Sequence, residues 1–399
     1  MEKTTMTGFY YKRPELTQEI VKKLLGEEFL SPGMNGLFLA APRRTGKSSL
    51  LKRELTPSLT AKNIEVIYTD LWSNTKEDPG KLITESIVQS FAKYSNIIAR
   101  AAKKTGIEKA SFAGITINPQ TIGQVHGATL PAALQALINT CNKSVALIID
   151  EAQQALTTSS GENVMFALKS ARDQINLEPD VKHKLMLVMS GSDRDKLMRL
   201  LNNNAAPFFG SSVYTMPLLG PDFVEFIAQN IERNNPALQP VDTDSMWKAF
   251  QVLGNKPELF LTKIISELSP LQGNVAGFEK RVYTEAIMQQ ETDAKQWESL
   301  YLGLSSLQQS LIWRLLEKRS TFKPYDADAL QFYASKGSKR FSPAQVQTAL
   351  ETMRKQSPPL VWKSARGEYA LEDISMLNWF LQAKQKNLWP PKTSEINLQ

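Results

Sequence analysis

The stretch Gly36-Leu-Phe-Leu-Ala-Ala-Pro-Arg-Arg-Thr-Gly46-Lys47-Ser48-Ser49-Leu-Leu51 limits what this chain can fold into more than any other. Leu37 to Ala41 form a short apolar run of the kind that becomes a buried parallel strand. The run breaks at Pro42-Arg43-Arg44-Thr45-Gly46, and a helical pattern starts at Lys47. Strand, loop and helix in that order are the context a Walker A phosphate loop requires. Gly46 lets the backbone turn so that successive N–H groups face a polyphosphate at a helix N-terminus. Lys47 is placed to reach the β- and γ-phosphates and Ser48 to ligate Mg²⁺. The contacting set is therefore Ala41, Pro42, Arg43, Arg44, Thr45, Gly46, Lys47, Ser48 and Ser49. The motif normally opens on glycine, and here that position is Ala41. A left-handed alanine costs roughly 1–2 kcal/mol, so the loop is expected to enter differently.

Composition narrows the class. At 399 residues, with 42% apolar and 22% charged side chains, the chain reads as a soluble protein of two or three domains. Its one cysteine, Cys141, excludes an internal disulfide, and the isolated His126 and His183 support no zinc site. Neither a signal core nor a membrane-length apolar run is visible, so the cytoplasm is the expected compartment and a membrane is not an expected partner. The net charge is +7, and from Gln296 onward 14 Lys and Arg stand against 9 Asp and Glu, leaving +5 there. That excess is compatible with nucleic-acid contact and equally with an ordinary solvated surface.

Four further strands are legible. Ile64 to Asp70 is β-branched, and a helix follows over 80–102. Residues 103–127, with glycines at 106, 114, 123 and 127, read as a hairpin or ordered insertion. Ser144-Val-Ala-Leu-Ile-Ile149-Asp150-Glu151-Ala-Gln153 then gives a Walker B signature: a buried strand ending in two carboxylates, Asp150 to support Mg²⁺ and Glu151 to activate water as general base. Lys184 to Met189 is the fourth strand, and Ser190 or Ser192 at its tip is positioned to bond the γ-phosphate or the attacking water. Ser212 to Met216 is the fifth. Ahead of all these, a helix over 15–25 is preceded by Phe9, Tyr10 and Tyr11, which pack either beside an adenine or into the core.

These motifs, with Gly254-Asn255-Lys256-Pro257, resemble those of P-loop ATPases of the AAA+/STAND assemblage, particularly its prokaryotic archaeal-type branch, over roughly residues 7–380. The resemblance implies an α/β fold of ASCE type, a parallel five-stranded sheet between helices with the Walker strands side by side. A helical lid and a winged-helix domain follow. It also implies that Lys256 or the Lys256-Pro257 turn contacts the nucleotide, although helix capping explains the same residues. Relatives often carry an arginine before the fifth strand. This chain has Pro207-Phe-Phe-Gly210 instead, with Arg194 and Arg199 the nearest stand-ins, so slow, switch-like hydrolysis is expected.

The C-terminal part supports the winged helix independently. An apolar-periodic segment over 300–316, a second over 326–333, a helix opened by Ser342-Pro343, and a hairpin turning at Ala365-Arg366-Gly367 follow in order. Lys336, Lys339, Arg340, Arg354, Lys355, Lys363 and Arg366 are the candidate contacts to double-stranded DNA. Docking to protein is the equal alternative, because the recognition helix is poor in basic residues near its start. The expected domains are a P-loop core (1–218), a helical lid (219–296), a winged helix (297–380) and a loosely attached tail (381–399). The function expected is an ATP- and Mg²⁺-dependent ATPase acting on DNA or a protein partner, with nucleotide-dependent self-assembly. The alternatives are a STAND-like signalling switch and an ATP-dependent DNA-binding adaptor.

Overall fold

The computed structural model describes residues 10–27, 36–94, 111–112, 115–116, 129–177, 182–202, 204–337 and 339–391. The chain divides into two compact units, residues 1–217 and 218–399. The first is built on a five-stranded sheet whose strands all run parallel. In chain order these are β1 (Leu37–Ala40), β2 (Glu65–Asp70), β5 (Val145–Asp150), β6 (Leu185–Gly191) and β7 (Val213–Thr215); the short pair Ser111–Phe112 (β3) and Ile115–Thr116 (β4) lies apart from them. The sheet order is β2-β5-β6-β1-β7.

That order corrects one expectation. The two Walker strands, β1 and β5, are not side by side; β6 runs between them and pairs with both. Parallel neighbours are joined by long crossovers, so nothing local assigns β1 its partner; the sequence does account for which strands are interior. Val145-Ala-Leu-Ile-Ile and Leu185-Met-Leu-Val-Met are unbroken apolar runs, and every residue of both strands is buried, as interior strands covered on both faces must be. β2 alternates buried and half-buried residues, which suits the edge it occupies. Fully burying one such side chain contributes about 1.5–3 kcal/mol, so the runs of β5 and β6 fix which strands are central.

The helix after the phosphate loop is not regular. It runs as α2 (Lys47–Leu50), widens to a π-helical turn over Leu51–Leu55, and resumes as α3 (Thr56–Ala61). Pro57 has no N–H to give the carbonyl four residues back, so the ladder must adjust there, and the Thr56 amide reaches Leu51 instead. The widened turn presents Glu54 to the start of α1 (Pro14–Leu25). Its carboxylate accepts from the Tyr10 hydroxyl at 2.6 Å, the Arg13 amide at 2.8 Å and the Thr17 hydroxyl at 3.2 Å. Tyr10 is thus tied to the helix that follows the phosphate loop. Phe9 lies outside the described residues, as do most of the expected hairpin over 103–127 and the end of the helix expected to reach 102; Pro79–Ala92 is helical.

The second unit contains helices Pro221–Asn234, Thr243–Val252, Pro257–Glu267 and Phe278–Leu302, with Phe223, Phe250 and Phe260 packed ring to ring at its first core. The last of these helices passes straight through the boundary expected at 296/297. Phe278, Val282 and Ala286 are buried at its start, while Trp297 and Tyr301 pack with the core of the winged helix. The apolar segment expected over 300–316 is broken at residues 303–305, where Ser305 and Gln308 form a capping box for Ser306–Lys318. Helices Ala327–Gly337 and Pro343–Lys355 and the antiparallel hairpin Val361–Lys363 with Tyr369–Leu371 complete the winged helix. Gly367, with φ of +83°, makes its tight turn. The described part of the expected tail is not loose: after the helix Ser375–Gln385, Trp389 packs among Tyr301, Trp313, Trp379 and Phe380, with centroids 4.7–5.9 Å apart within this group.

Candidate nucleotide-binding site

β1, β5 and β6 all end on the same edge of the sheet, where ligands of open α/β sheets bind. Ala41 continues β1, donating its N–H to the Gly191 carbonyl at 3.1 Å. The left-handed positions of the loop are Arg44 (φ +65°) and Gly46 (φ +91°), not Ala41, so the substitution at the head of the motif costs no strain. Thr45 closes the turn with a bond from its hydroxyl to the Pro42 carbonyl at 2.7 Å. Apart from its own chain neighbours, nothing among the described residues lies within 4 Å of where a Gly46 side chain would begin, so the loop is open on that side at the helix N-terminus. Arg43 lies over the ring of Trp72, 4.1 Å from its centroid, and Ser49 is exposed on the first turn of α2.

Lys47 is buried, and its ammonium is the hub of the site. It pairs with Asp150 Oδ1, lies 3.1 Å from Glu151 Oε1 and is 3.3 Å from Ser190 Oγ. Asp150 also accepts from Ser190 Oγ, Ser48 Oγ, the Tyr68 hydroxyl at 2.8 Å and the Glu151 amide at 3.1 Å. Burial alone would raise the Asp150 carboxyl, but the charge of Lys47 and the bonds from Lys47, Ser190 and Ser48 outweigh it and hold the pKa at about 2. The same burial, with the Asp150 charge beside it, pushes the Tyr68 phenol far up, so it stays a donor.

Glu151 adopts a left-handed backbone, φ +55°, uncommon for a side chain of its kind and worth roughly 1–3 kcal/mol of strain. Its surroundings hold it there. Oε2 accepts from Gln153 Nε2 at 2.6 Å, Ser192 Oγ at 2.7 Å and the Ser192 amide at 3.3 Å. Ser190 thus bonds Lys47 and Asp150, whereas Ser192 holds Glu151.

Lys47, Ser48, Asp150, Glu151, Ser190 and Ser192 are thus brought together. Lys256 and Pro257 belong to the second unit. There Gly254 and Asn255 end one helix in left-handed conformations, Asn255 bonds the Leu219 carbonyl at 3.0 Å, and Lys256 and Pro257 are the cap and first residue of the next helix. Arg194 is committed within its own unit, donating to the Val213 carbonyl at 3.1 Å and to Thr215 Oγ1 at 2.9 Å, and Arg199 is buried. In the winged helix, Glu351 gathers Arg354 and Lys363 at 2.8 and 2.7 Å, and Lys336 and Lys339 lie over the rings of Trp313 and Phe341. Arg340, Lys355 and Arg366 complete the expected basic set: Arg340 precedes the third helix, Lys355 ends it and Arg366 sits in the hairpin turn.

Sequence reasoning missed Tyr68, Gln153 and Trp72. Gln153 stands in the Asp150-Glu-Ala-Gln string, but only the turn at Glu151 folds its amide back onto the carboxylate. Tyr68 lies two residues before the end of β2, one of the half-buried positions of an edge strand, and no motif marks it.

No family model matches the chain, and no curated protein matches its sequence. Among solved structures, the Aeropyrum pernix ORC2 protein in its ADP form is similar over 96% of this chain and 97% of that one, at 14% identity and a TM-score of 0.50. The ADPNP–ADP complexes of the same protein give 14% identity over 96% and 98%, with a TM-score of 0.48. The likeness is one of fold: a P-loop α/β unit continued by a helical and winged-helix unit.

A bound ATP and Mg²⁺ fit the residues present. The open side of the loop and the buried Lys47 ammonium suit a polyphosphate. Ser48 Oγ and Asp150 Oδ2, bonded to each other, are the hard oxygen donors Mg²⁺ takes. Among the described residues no group of three or more His, Cys, Asp and Glu forms a separate metal cluster, and no helix is long and apolar enough to cross a membrane.

Proposed function

We propose that the chain is an ATP-binding, Mg²⁺-dependent P-loop ATPase that couples hydrolysis to action on DNA or a protein partner. One observation carries the reading: a single buried ammonium, Lys47, meets the metal-type carboxylate Asp150, the base-type carboxylate Glu151 and the Ser190 hydroxyl at the ends of β5 and β6. Phosphoryl transfer to water needs little covalent work from the protein beyond placing charge and water. The loop amides and Lys47 bind the phosphates, Ser48 and Asp150 would hold the metal, and Ser190, once its hydroxyl is released from Asp150, donates toward the site of transfer. Glu151, oriented by Gln153 and Ser192, takes the proton of the attacking water. Bound Mg²⁺ supplies charge neutralisation across the phosphates.

The same contacts favour slow, switch-like turnover. Lys47 is held by both carboxylates, so phosphate binding must compete with two ion pairs before Asp150 and Glu151 are released for their tasks. The turn at Lys256-Pro257 is the proposed sensor in the second unit, and nucleotide-dependent self-assembly remains part of the proposal. Steady-state ATP hydrolysis with and without double-stranded DNA, over a salt series, tests the coupling. Turnover that rises with DNA at low salt and loses that rise as salt is added supports the DNA-coupled reading. Turnover indifferent to DNA at every salt concentration contradicts it and leaves a protein partner. Tightly held nucleotide with no turnover makes the chain a switch.

A further inference from the structure

The helix Pro343–Lys355 buries Val346, Leu350 and Met353 on one stripe and turns Ala344, Gln347, Thr348, Thr352 and Lys355 to solvent. The outward residues span about three turns on the face opposite the core. Their chemistry is specific in what it omits. From Pro343 to Met353 there is no arginine or lysine, so the commonest reader of guanine, a bidentate cation at O6 and N7, has no source in that span. Glu351, which could accept from a cytosine amine, is engaged by Arg354 and Lys363.

What remains suits adenine and thymine. Gln347 carries a donor–acceptor amide that can pair with adenine N6 and N7. Thr348 and Thr352 donate their hydroxyl hydrogens to the carbonyls of Ala344 and Thr348, at 3.0 and 2.9 Å. Each is thereby left to present its methyl group, and Ala344 adds another, the groups that pack on the thymine methyl. Gln345 differs from Gln347, because it is tied to Ser342 in the capping box.

Cations frame this neutral face rather than lie on it: Lys339 and Arg340 before the helix, Lys355 at its end. Beside Ala344 and Thr348 a cleft of about 470 Å³ is bordered by Lys339 and by Ser305 and Ser306 at the start of a second helix. A positive rim around a neutral reading face is what a phosphate backbone flanking a groove requires.

We propose that this helix reads A·T pairs in the major groove, with Gln347 on adenine and the Ala344, Thr348 and Thr352 methyls on thymine. The inference rests on the winged helix being a DNA reader. The test is fluorescence anisotropy of full-length protein against duplexes selected from a randomised pool. Adenine should be enriched at one or two positions, and Gln347→Ala should erase that preference, lowering affinity for the selected duplex by about 5- to 100-fold. Replacing thymine by uracil removes only the major-groove methyl, and 7-deazaadenine removes only N7. Either change should weaken binding by the wild type severalfold, and 7-deazaadenine should leave Gln347→Ala unaffected. Lys355→Ala should weaken all duplexes alike. An A·T preference untouched by uracil and 7-deazaadenine, a guanine preference, or a preference surviving Gln347→Ala overturns the readout while leaving DNA binding intact. Absence of duplex binding that Lys355→Ala weakens overturns the DNA reading itself.

Discussion

Asp150→Asn is nearly isosteric and removes one charge from the centre of the site. In the native protein that carboxylate is 1% exposed and faces Lys47, which is 5% exposed. Its pKa is held down at about 2 against an ordinary value of 3.8, which corresponds to on the order of 2 kcal/mol of folding free energy. The substitution also leaves the Lys47 ammonium with Glu151 alone, at 3.1 Å. Breaking a buried pair typically costs about 3–5 kcal/mol, and the surviving Glu151 contact reduces that, so a net loss of roughly 2–3 kcal/mol is expected at neutral pH. The sign of the pH dependence follows from a depressed carboxylate. Its stabilisation is complete above the unfolded value of 3.8 and is lost as pH falls through about 2, so the gap between wild type and variant should narrow only over that window. Hydrogen exchange of peptides covering Val145–Asp150 and Leu185–Gly191, measured against urea, resolves the first unit without assuming that the whole chain unfolds in one step. A difference below about 0.5 kcal/mol at neutral pH would refute the ion-pair argument. A difference that shrank already between pH 7 and 5 would refute the assignment of the titrating group.

Three other substitutions probe separate links. Glu54→Ala removes the acceptor of Tyr10, Arg13 and Thr17 and should destabilise the first unit by roughly 3 kcal/mol, with Pro14–Leu25 the first segment to lose exchange protection. Gly46→Ala places a side chain at φ +91° in the phosphate loop; about 1–2 kcal/mol of strain and weaker ATP binding by calorimetry are expected. Glu351→Gln frees Arg354 and Lys363 from their shared carboxylate. Duplex affinity should rise, and the slope of log affinity against log salt should steepen by up to about 2, in titrations at several salt concentrations.

Much of the candidate site was legible because each part is local. Gly46, Lys47 and Ser48 announce themselves by a strand, a loop and a helix in eleven or so residues, and Asp150-Glu151 by the apolar strand before them. The five strands were legible for the same reason. The order of the strands was not, since a parallel sheet is joined by long crossovers and neither β1 nor β5 carries a local sign of its neighbour. The π-turn at Leu51–Leu55 is not legible although Pro57 stands in the string, because helical periodicity survives a single widened turn. Gln153 and Tyr68 needed a third dimension: one is folded back by the left-handed Glu151, and the other reaches Asp150 from a neighbouring strand. The fate of Trp389 was hidden likewise. Pro390 and Pro391 suggest a tail, and only the aromatic side chains on three helices make a box for the indole.

The most direct measurement is steady-state Mg²⁺-ATP turnover of the wild type and Glu151→Gln, with equilibrium ATP binding followed in parallel. If Glu151 is the base oriented by Gln153 and Ser192, turnover should fall by about 10²–10⁴-fold while ATP binding is retained or tightened. Unchanged turnover in Glu151→Gln, or a wild type that binds no ATP, would contradict the assignment of this cluster as an ATPase centre.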